Sequence, residues 1–261
     1  MANCYWETLG GPVEIFNRFF DPGGAWEVLS RYGHVLAGIT WIGLLYFFNF
    51  VQTPAFAEMS AEARSEAQRK ITWRALWWFR WAALLTFLFG VSILGVQTSE
   101  DAEAYFSGQR GVAIITGMIL GTTMFLNVWG IIWRHQKVII GSAERVAQGE
   151  DPDPRAAALA KPAARASRVN TLFSIPMLFF MVFAAHGSGF WDEPIGSTIA
   201  YWIVFLIIWA LIEASALGII GGYDNPVNTL AFDNHRNTIA AGFALLAVLY
   251  LIGWELILKA A

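Results

Sequence analysis

The chain has 261 residues, of which 56% are hydrophobic and 14% are charged, and its formal net charge is −3. This composition is typical of a protein that lies mostly within a lipid bilayer and excludes an ordinary soluble domain. The sequence has no basic tail and no glycine-rich phosphate loop, which argues against nucleic-acid and nucleotide partners. Cys4 is the only cysteine, so an internal disulfide, a covalent Cys-x-x-Cys-His haem site and a thiolate metal cluster are excluded.

The first part of the chain, residues 1–29, lacks the basic start and apolar middle of a signal peptide. We interpret it as an N-terminal interfacial segment, in which residues 12–20 predict a short amphipathic helix on the membrane surface. Residues 30–261 are expected to form a single transmembrane domain.

Six apolar stretches are long enough to cross a bilayer, which takes roughly 20 residues of helix. The predicted spans are 30–52, 75–97, 111–133, 169–188, 198–220 and 237–258. The sequence therefore predicts an all-α integral membrane protein, a bundle of about six transmembrane helices. The longest connection, residues 138–168, is expected to be a solvated loop with some helix.

Lysine and arginine residues divide unequally between the two sides of this bundle. Twelve fall in the connections 53–74, 134–168 and 221–236, and four fall on the opposite side. By the positive-inside rule the richer side is cytoplasmic, so both termini are predicted on the outer, periplasmic side.

The first predicted span carries polar side chains on one helical face. His34 lies near its start, and Gly38 and Trp41 follow at helical spacing. An imidazole at lipid depth is costly unless it faces protein, water or a ligand. This pattern predicts either a hydrogen bond to a neighbouring helix or a ligand site.

The predicted orientation groups the four histidines into two pairs at matched depth. His34 and His186 lie near the outer surface, where two neutral imidazoles on facing helices are suited to hold b-type haem without covalent attachment. We therefore predict haem b, or ligation of a metal ion, by His34 and His186, with hydrogen bonding within the bundle as the alternative. Phe179 and Phe183 fall on the His186 face and are expected to wall the site.

The other pair, His135 and His235, lies near the inner surface beside arginines. These two residues are interfacial side chains in the simpler interpretation, or a second site together with Asn127 and Gln136. Arg80 falls inside the second predicted span, where it either snorkels to the surface or pairs with a haem propionate.

Glu213 is a carboxyl group close to mid-membrane in the fifth predicted span. It indicates a proton path or a quinol contact, or else a protonated acid in a structural hydrogen bond.

Three stretches carry a pattern shared with a known family: HVLAGITWIGLLY at 34–46, LWWFRW at 76–81, and a region from 127 to 186 that includes GEDPDP and FSIPMLFFM. Together they resemble the membrane domain of bacterial cytochrome-c-linked urate oxidases, also called urate hydroxylases. The resemblance covers about residues 30–190. The motif positions it carries over are His34, Trp41, Asn127, Gln136, Asn170 and His186.

The resemblance implies a multi-pass protein of the bacterial inner (cytoplasmic) membrane that oxidises or hydroxylates urate and passes electrons to cytochrome c. Family members often carry a C-terminal cytochrome c domain, whereas this sequence has no haem-attachment motif, so we expect either an external electron acceptor or no urate chemistry at all. The third span also ends in Trp-Arg-His-Gln, where the family tends to have Pro-Asn-Gln. The alternative is a non-catalytic haem-binding or structural subunit of a larger electron-transfer complex, and homo-oligomerisation stays open.

Overall fold

A computed structural model describes residues 19–187 and 195–259. This part of the chain is helical with no strand, and six of its helices are long and apolar enough to cross a membrane. They run Ala25–Glu58, Ala61–Gln97, Gln109–Ala147, Ala156–His186, Thr198–Ala216 and His235–Leu258, and are called the first to sixth spans below. The predicted all-α fold with six membrane-spanning helices is confirmed. Most of the predicted interfacial segment, including most of its helix at 12–20, lies outside the described residues.

The first four spans are longer than the apolar stretches that predict them. They contain 34, 37, 39 and 31 residues, against the roughly 20 that a bilayer requires. The first three contain π-helical segments, at Phe47–Gln52, Gln68–Thr72 and Val128–Ile132. Such segments replace the α-helical hydrogen bonds between residues four apart with bonds between residues five apart, and they are frequent at functional sites.

The expected loop at 138–168 is mostly helical. The third span continues to Ala147 and the fourth begins at Ala156, which leaves only residues 148–155 as a connection. The reason is local: the stretch AAALAKPAARA is rich in alanine, the residue with the highest helix propensity.

Successive spans run in opposite directions, and two ends of the bundle can be named from residues that lie there. The His34 end holds the starts of the first, third and fifth spans, and the Arg165 end holds the starts of the others. The first span therefore begins, and the sixth ends, at the same end of the bundle. The assignment of the His34 end to the periplasmic side stays a prediction.

Hydrogen bonds across the bundle show which spans are neighbours. The first and second pack along their length, from Ser30 and Ser92, whose hydroxyl oxygens are 3.0 Å apart, to Gln52, which accepts from the Thr72 hydroxyl at 2.9 Å. The third and fourth also pack closely, because Gly117 on the third would bring a Cβ within 3.1 Å of a fourth-span methionine.

The fourth span also contacts the first and sixth. Tyr46 and Ser174 are hydrogen-bonded at 2.9 Å, and the amide of Asn49 donates to Ser167 at 2.8 Å. On the sixth span, a Cβ built on Gly242 would lie 2.9 Å from the Leu172 carbonyl oxygen of the fourth. The fourth span therefore contacts the first, third and sixth, and 14 of its 31 residues are buried.

Candidate functional site

His34 lies on the first span, and its ring is directed at the second. Its Nδ1 is 2.8 Å from the carbonyl oxygen of Thr86. Because a carbonyl oxygen only accepts, Nδ1 carries the proton, and in the neutral ring Nε2 keeps its lone pair. Metal-ligating histidines are commonly held in this way, with one nitrogen bound to a backbone carbonyl and the other free.

The close approach of His34 to the second span depends on Gly90. A Cβ built on Gly90 would lie 3.2 Å from Cε1 and 3.3 Å from Nδ1 of the imidazole. The Thr86 hydroxyl turns back to its own helix and donates to the Ala82 carbonyl at 2.7 Å. The carbonyl of Thr86, and not its side chain, is therefore the partner of His34.

Thr86 and Gly90 are site residues that the sequence analysis did not select. The available signal is their spacing, since small residues four apart mark a helix face that admits a close neighbour. Nothing in the sequence shows that this face meets the first span.

Two other predicted site residues share the face of His34. A Cβ on Gly38 would lie 3.8 Å from the Thr86 methyl group, an ordinary contact, so helix packing does not require glycine there. Trp41 is 3% exposed, and its indole N–H has no hydrogen-bond partner among the described residues. Since a buried indole N–H usually finds a partner, Trp41 has a donor to offer a ligand.

His186 is in the last turn of the fourth span and is exposed. Phe179 and Phe183 stack with ring centroids 5.7 Å apart, one turn further into the bundle on the same helical face. They line a groove of about 500 Å³ together with Phe243, Leu246, Ala247 and Tyr250. The predicted aromatic wall is present, but it faces the sixth span and not the first.

The levels of His34 and His186 follow from the hydrogen bond between Tyr46 and Ser174. Each histidine lies twelve residues, or about 18 Å, from this bond towards the His34 end. The two imidazoles are therefore at one level on neighbouring spans. The hydrogen bond recorded for His34 runs to the second span, and no described contact brings the two rings together.

The second predicted pair lies at the Arg165 end. His135 is half-buried in the third span, and its Nδ1 has no hydrogen-bond partner in the part of the chain that the structure describes. His235 begins the sixth span, with its ring centroid 6.1 Å from that of Phe50 on the first. A second site at this pair stays a prediction, and Gln136 is half-buried beside His135.

Asn127 forms part of a link between the third and fourth spans. Its amide donates to the Asn170 side-chain oxygen at 3.0 Å, and Asn170 donates to the Met124 carbonyl at 2.9 Å. Both asparagines are at most 3% exposed. Asn127 also faces Glu213 of the fifth span, whose Oε2 is enclosed without a partner among the described residues.

Two arginines that we expected in a solvated loop are buried in the fourth span. Arg165 is 3% exposed and pairs with Asp233 at 2.5 Å, and it also donates to the Asn228 carbonyl at 3.1 Å. Arg168 is 7% exposed. They are buried because the helix continues through them and turns both towards the connection before the sixth span.

Arg80 lies between the second and third spans, with its guanidinium carbon 3.7 Å from the ring centroid of Trp133.

Within residues 19–187 and 195–259, no group of three or more His, Cys, Asp or Glu side chains could hold a metal ion. Any ligation at His34 and His186 would therefore use the two imidazoles without further side chains of these types.

Residues 96–215 match the model of the urate oxidase N-terminal family. This confirms the predicted resemblance over the third and fourth spans, and the match continues into the fifth. Asn127, Gln136, Asn170 and His186 lie within the matched region, whereas His34 precedes it. No curated protein and no solved structure matches the chain.

Proposed function

Taking residues 96–215 as a urate oxidase N-terminal domain, we propose that the protein is a membrane-bound oxidoreductase of the urate-oxidising type. In this proposal, haem b lies between His34 and His186, and an external cytochrome c takes the electrons. The observation that carries it is the common level of the two imidazoles on neighbouring spans. Haem would supply one-electron chemistry, and the chain supplies its ligands and surroundings.

His34 is suited to axial ligation because the Thr86 carbonyl fixes its tautomer and orientation. Donation from Nδ1 leaves Nε2 as the ligating nitrogen and makes it more basic. The ring is half-buried and lies close against Gly90 of the second span.

The remaining surroundings support ligation at His34 in part. Trp41, on the His34 face, offers an indole N–H that has no partner among the residues the structure describes. The stacked rings of Phe179 and Phe183 face the sixth span and so do not wall the space between the two histidines. Imidazole ligands are a donor set that suits haem b and not a hard cation such as Mg²⁺.

A docking face for the acceptor is offered by acidic residues at the His34 end. Glu100, Asp101 and Glu103 are exposed at the start of the short helix Ala102–Ser107, between the second and third spans. A negative surface would steer a cytochrome c through a basic face of that partner.

The direct test of this function is urate-dependent reduction of added cytochrome c by the purified protein. The proposal expects turnover that is abolished in His34→Ala and His186→Ala but retained in His135→Ala. Protein that retains its helical circular dichroism and haem, yet fails to reduce cytochrome c with urate, would contradict the enzymatic function.

The alternative is a haem-bearing or structural subunit of an electron-transfer complex. The surface such a subunit would use is on the fifth span, which is largely exposed and apolar, with Ile199 71% and Ile203 55% exposed. Either lipid or a partner helix can cover such a surface. Purification from the native membrane in mild detergent tests this, because a stoichiometric partner supports the subunit and its absence supports the enzyme.

A further inference from the structure

Three tryptophans surround the Arg80 guanidinium between the second and third spans. Its central carbon is 3.7 Å from the ring centroid of Trp133, 5.5 Å from that of Trp81 and 5.6 Å from that of Trp129. The indole N–H of Trp129 donates to the Arg80 backbone carbonyl at 3.1 Å. The backbone of Arg80 is therefore level with Trp129, while its guanidinium reaches Trp133.

Trp133 lies one turn beyond Trp129 towards the Arg165 end. The Arg80 side chain consequently extends about 5 Å in that direction, as helical side chains do towards the N-terminus of their helix. This is the snorkelling geometry of a cation that approaches the lipid headgroups.

The Arg80 guanidinium lacks an anionic partner in the described part of the chain. It makes no ion pair or hydrogen bond there, and its Nε is enclosed without a partner. Aromatic faces attract the positive charge but accept none of its N–H groups in ordinary hydrogen bonds. A guanidinium whose N–H groups have no acceptor is costly at lipid depth, so we expect an anionic acceptor.

The surroundings of Arg80 have the character of a membrane–water interface. Trp73, Trp77 and Trp78 are 38%, 45% and 60% exposed on the same stretch of the second span. Tryptophans are enriched at headgroup level, where an apolar ring and a polar N–H are both accommodated.

The carboxylates that pair at the Arg165 end of the second and third spans bind other cations. Glu144 pairs with Arg69 at 3.2 Å, and Glu66 pairs with Lys70. Arg74 and Arg134 are exposed at the same end of the bundle. Since no ion pair within residues 19–187 and 195–259 joins a carboxylate to Arg80, an anion from outside the chain complements its charge.

We propose that Arg80 and its tryptophan cage bind the phosphate group of a membrane phospholipid in the leaflet at the Arg165 end. The terminal N–H groups of the guanidinium donate to two phosphate oxygens, a geometry that arginine matches better than lysine. The acyl chains pack over the exposed rings of Trp77 and Trp78.

A haem propionate is a less suitable partner for this guanidinium. His34 bonds the Thr86 carbonyl, which is six residues, or about 9 Å, from Arg80 towards the opposite end. The Arg80 side chain extends away from that level. The lipid site therefore does not depend on haem binding or on urate chemistry.

The test is native mass spectrometry of the protein purified in detergent, counting retained phospholipid. We expect wild type to keep phospholipid through washing and Arg80→Gln to lose it at least tenfold. Arg74→Gln is the matched control, because it removes the same charge from an exposed side chain outside the cage and should retain lipid as wild type does. Equal retention in Arg80→Gln and wild type would overturn the proposal.

A second measurement separates lipid from free phosphate and does not require Arg80→Gln to fold. Delipidated wild type and Arg80→Lys are heated with short-chain phosphatidylglycerol or with inorganic phosphate. The proposal expects the lipid to raise the melting temperature of wild type, with a smaller rise in Arg80→Lys. An equal rise with inorganic phosphate alone, or an equal lipid effect in both proteins, would overturn it.

Discussion

The Tyr46 hydroxyl lies 2.9 Å from the Ser174 hydroxyl, and this hydrogen bond sets the register of the first span against the fourth. It is also the point from which His34 and His186 are equally distant along their helices.

The strength of the hydrogen bond between Tyr46 and Ser174 can be measured with a double-mutant cycle on Tyr46→Phe and Ser174→Ala. Thermal unfolding in detergent should give a coupling of about 0.5–1 kcal/mol, as for hydrogen bonds between membrane helices. Thr40→Ala is the control, since that hydroxyl bonds its own helix at Leu36; strict additivity between Tyr46 and Ser174 would show that the bond is not formed.

Gly90 gives a sharper test of the packing around His34. In Gly90→Ala the new methyl group would lie 3.2 Å from the imidazole and displace it, which costs about 1–3 kcal/mol of stability and disturbs the bond to Thr86. Gly95→Ala is the matched control in the same span, because nothing lies within 4 Å of its added Cβ. We expect Gly95→Ala to be neutral or to stabilise by up to about 1 kcal/mol through helix propensity. Similar thermal stabilities for the two variants would contradict the packing of His34 on Gly90.

Asn170 is fully buried and links the third and fourth spans by hydrogen bonds. Asn170→Ala should destabilise the protein by about 1–3 kcal/mol, because the Asn127 amide and the Met124 carbonyl both lose a partner inside the bundle. Asn237→Ala is the comparison, since that exposed amide bonds only the Leu230 carbonyl. An effect of Asn170→Ala no larger than that of Asn237→Ala would argue against the link.

The ion pair between Arg165 and Asp233 is asymmetric. Arg165 is almost wholly buried and also donates to two carbonyl groups, whereas the Asp233 side chain is 55% exposed. Asp233→Asn leaves the buried guanidinium without an anion and should therefore cost about 3–5 kcal/mol. Arg165→Met removes the buried charge itself and should cost less, about 1–3 kcal/mol, for the two carbonyl groups that lose a donor. Denaturation of the two variants in parallel measures the difference, and a larger effect of Arg165→Met would contradict this assignment.

The sequence was sufficient to predict the helices and their faces. The six apolar stretches and the common helical face of Phe179 and Phe183 follow from hydropathy and helical spacing. The prediction of a loop at 138–168 was largely wrong, because the alanine content of this stretch favours helix despite its charged residues. Arg165 and Arg168 were misplaced for the same reason.

The sequence does not show which helix face packs against which neighbouring helix. The spacing of His34 and Trp41 identifies a special face, but it does not show that the Thr86 carbonyl lies opposite. Nor does the position of Phe183 show that its ring meets Tyr250 of the sixth span, at a centroid distance of 6.0 Å. Such pairs depend on helix packing, which is determined by many contacts distant in sequence.

The central claim, haem held by His34 and His186, is tested most directly by a reduced-minus-oxidised absorption spectrum of the purified protein. The account predicts a b-type α-band in wild type and its loss in both His34→Ala and His186→Ala, with the band retained in His135→Ala. A colourless wild type with full helical circular dichroism, or a band that survives both substitutions, would contradict the claim.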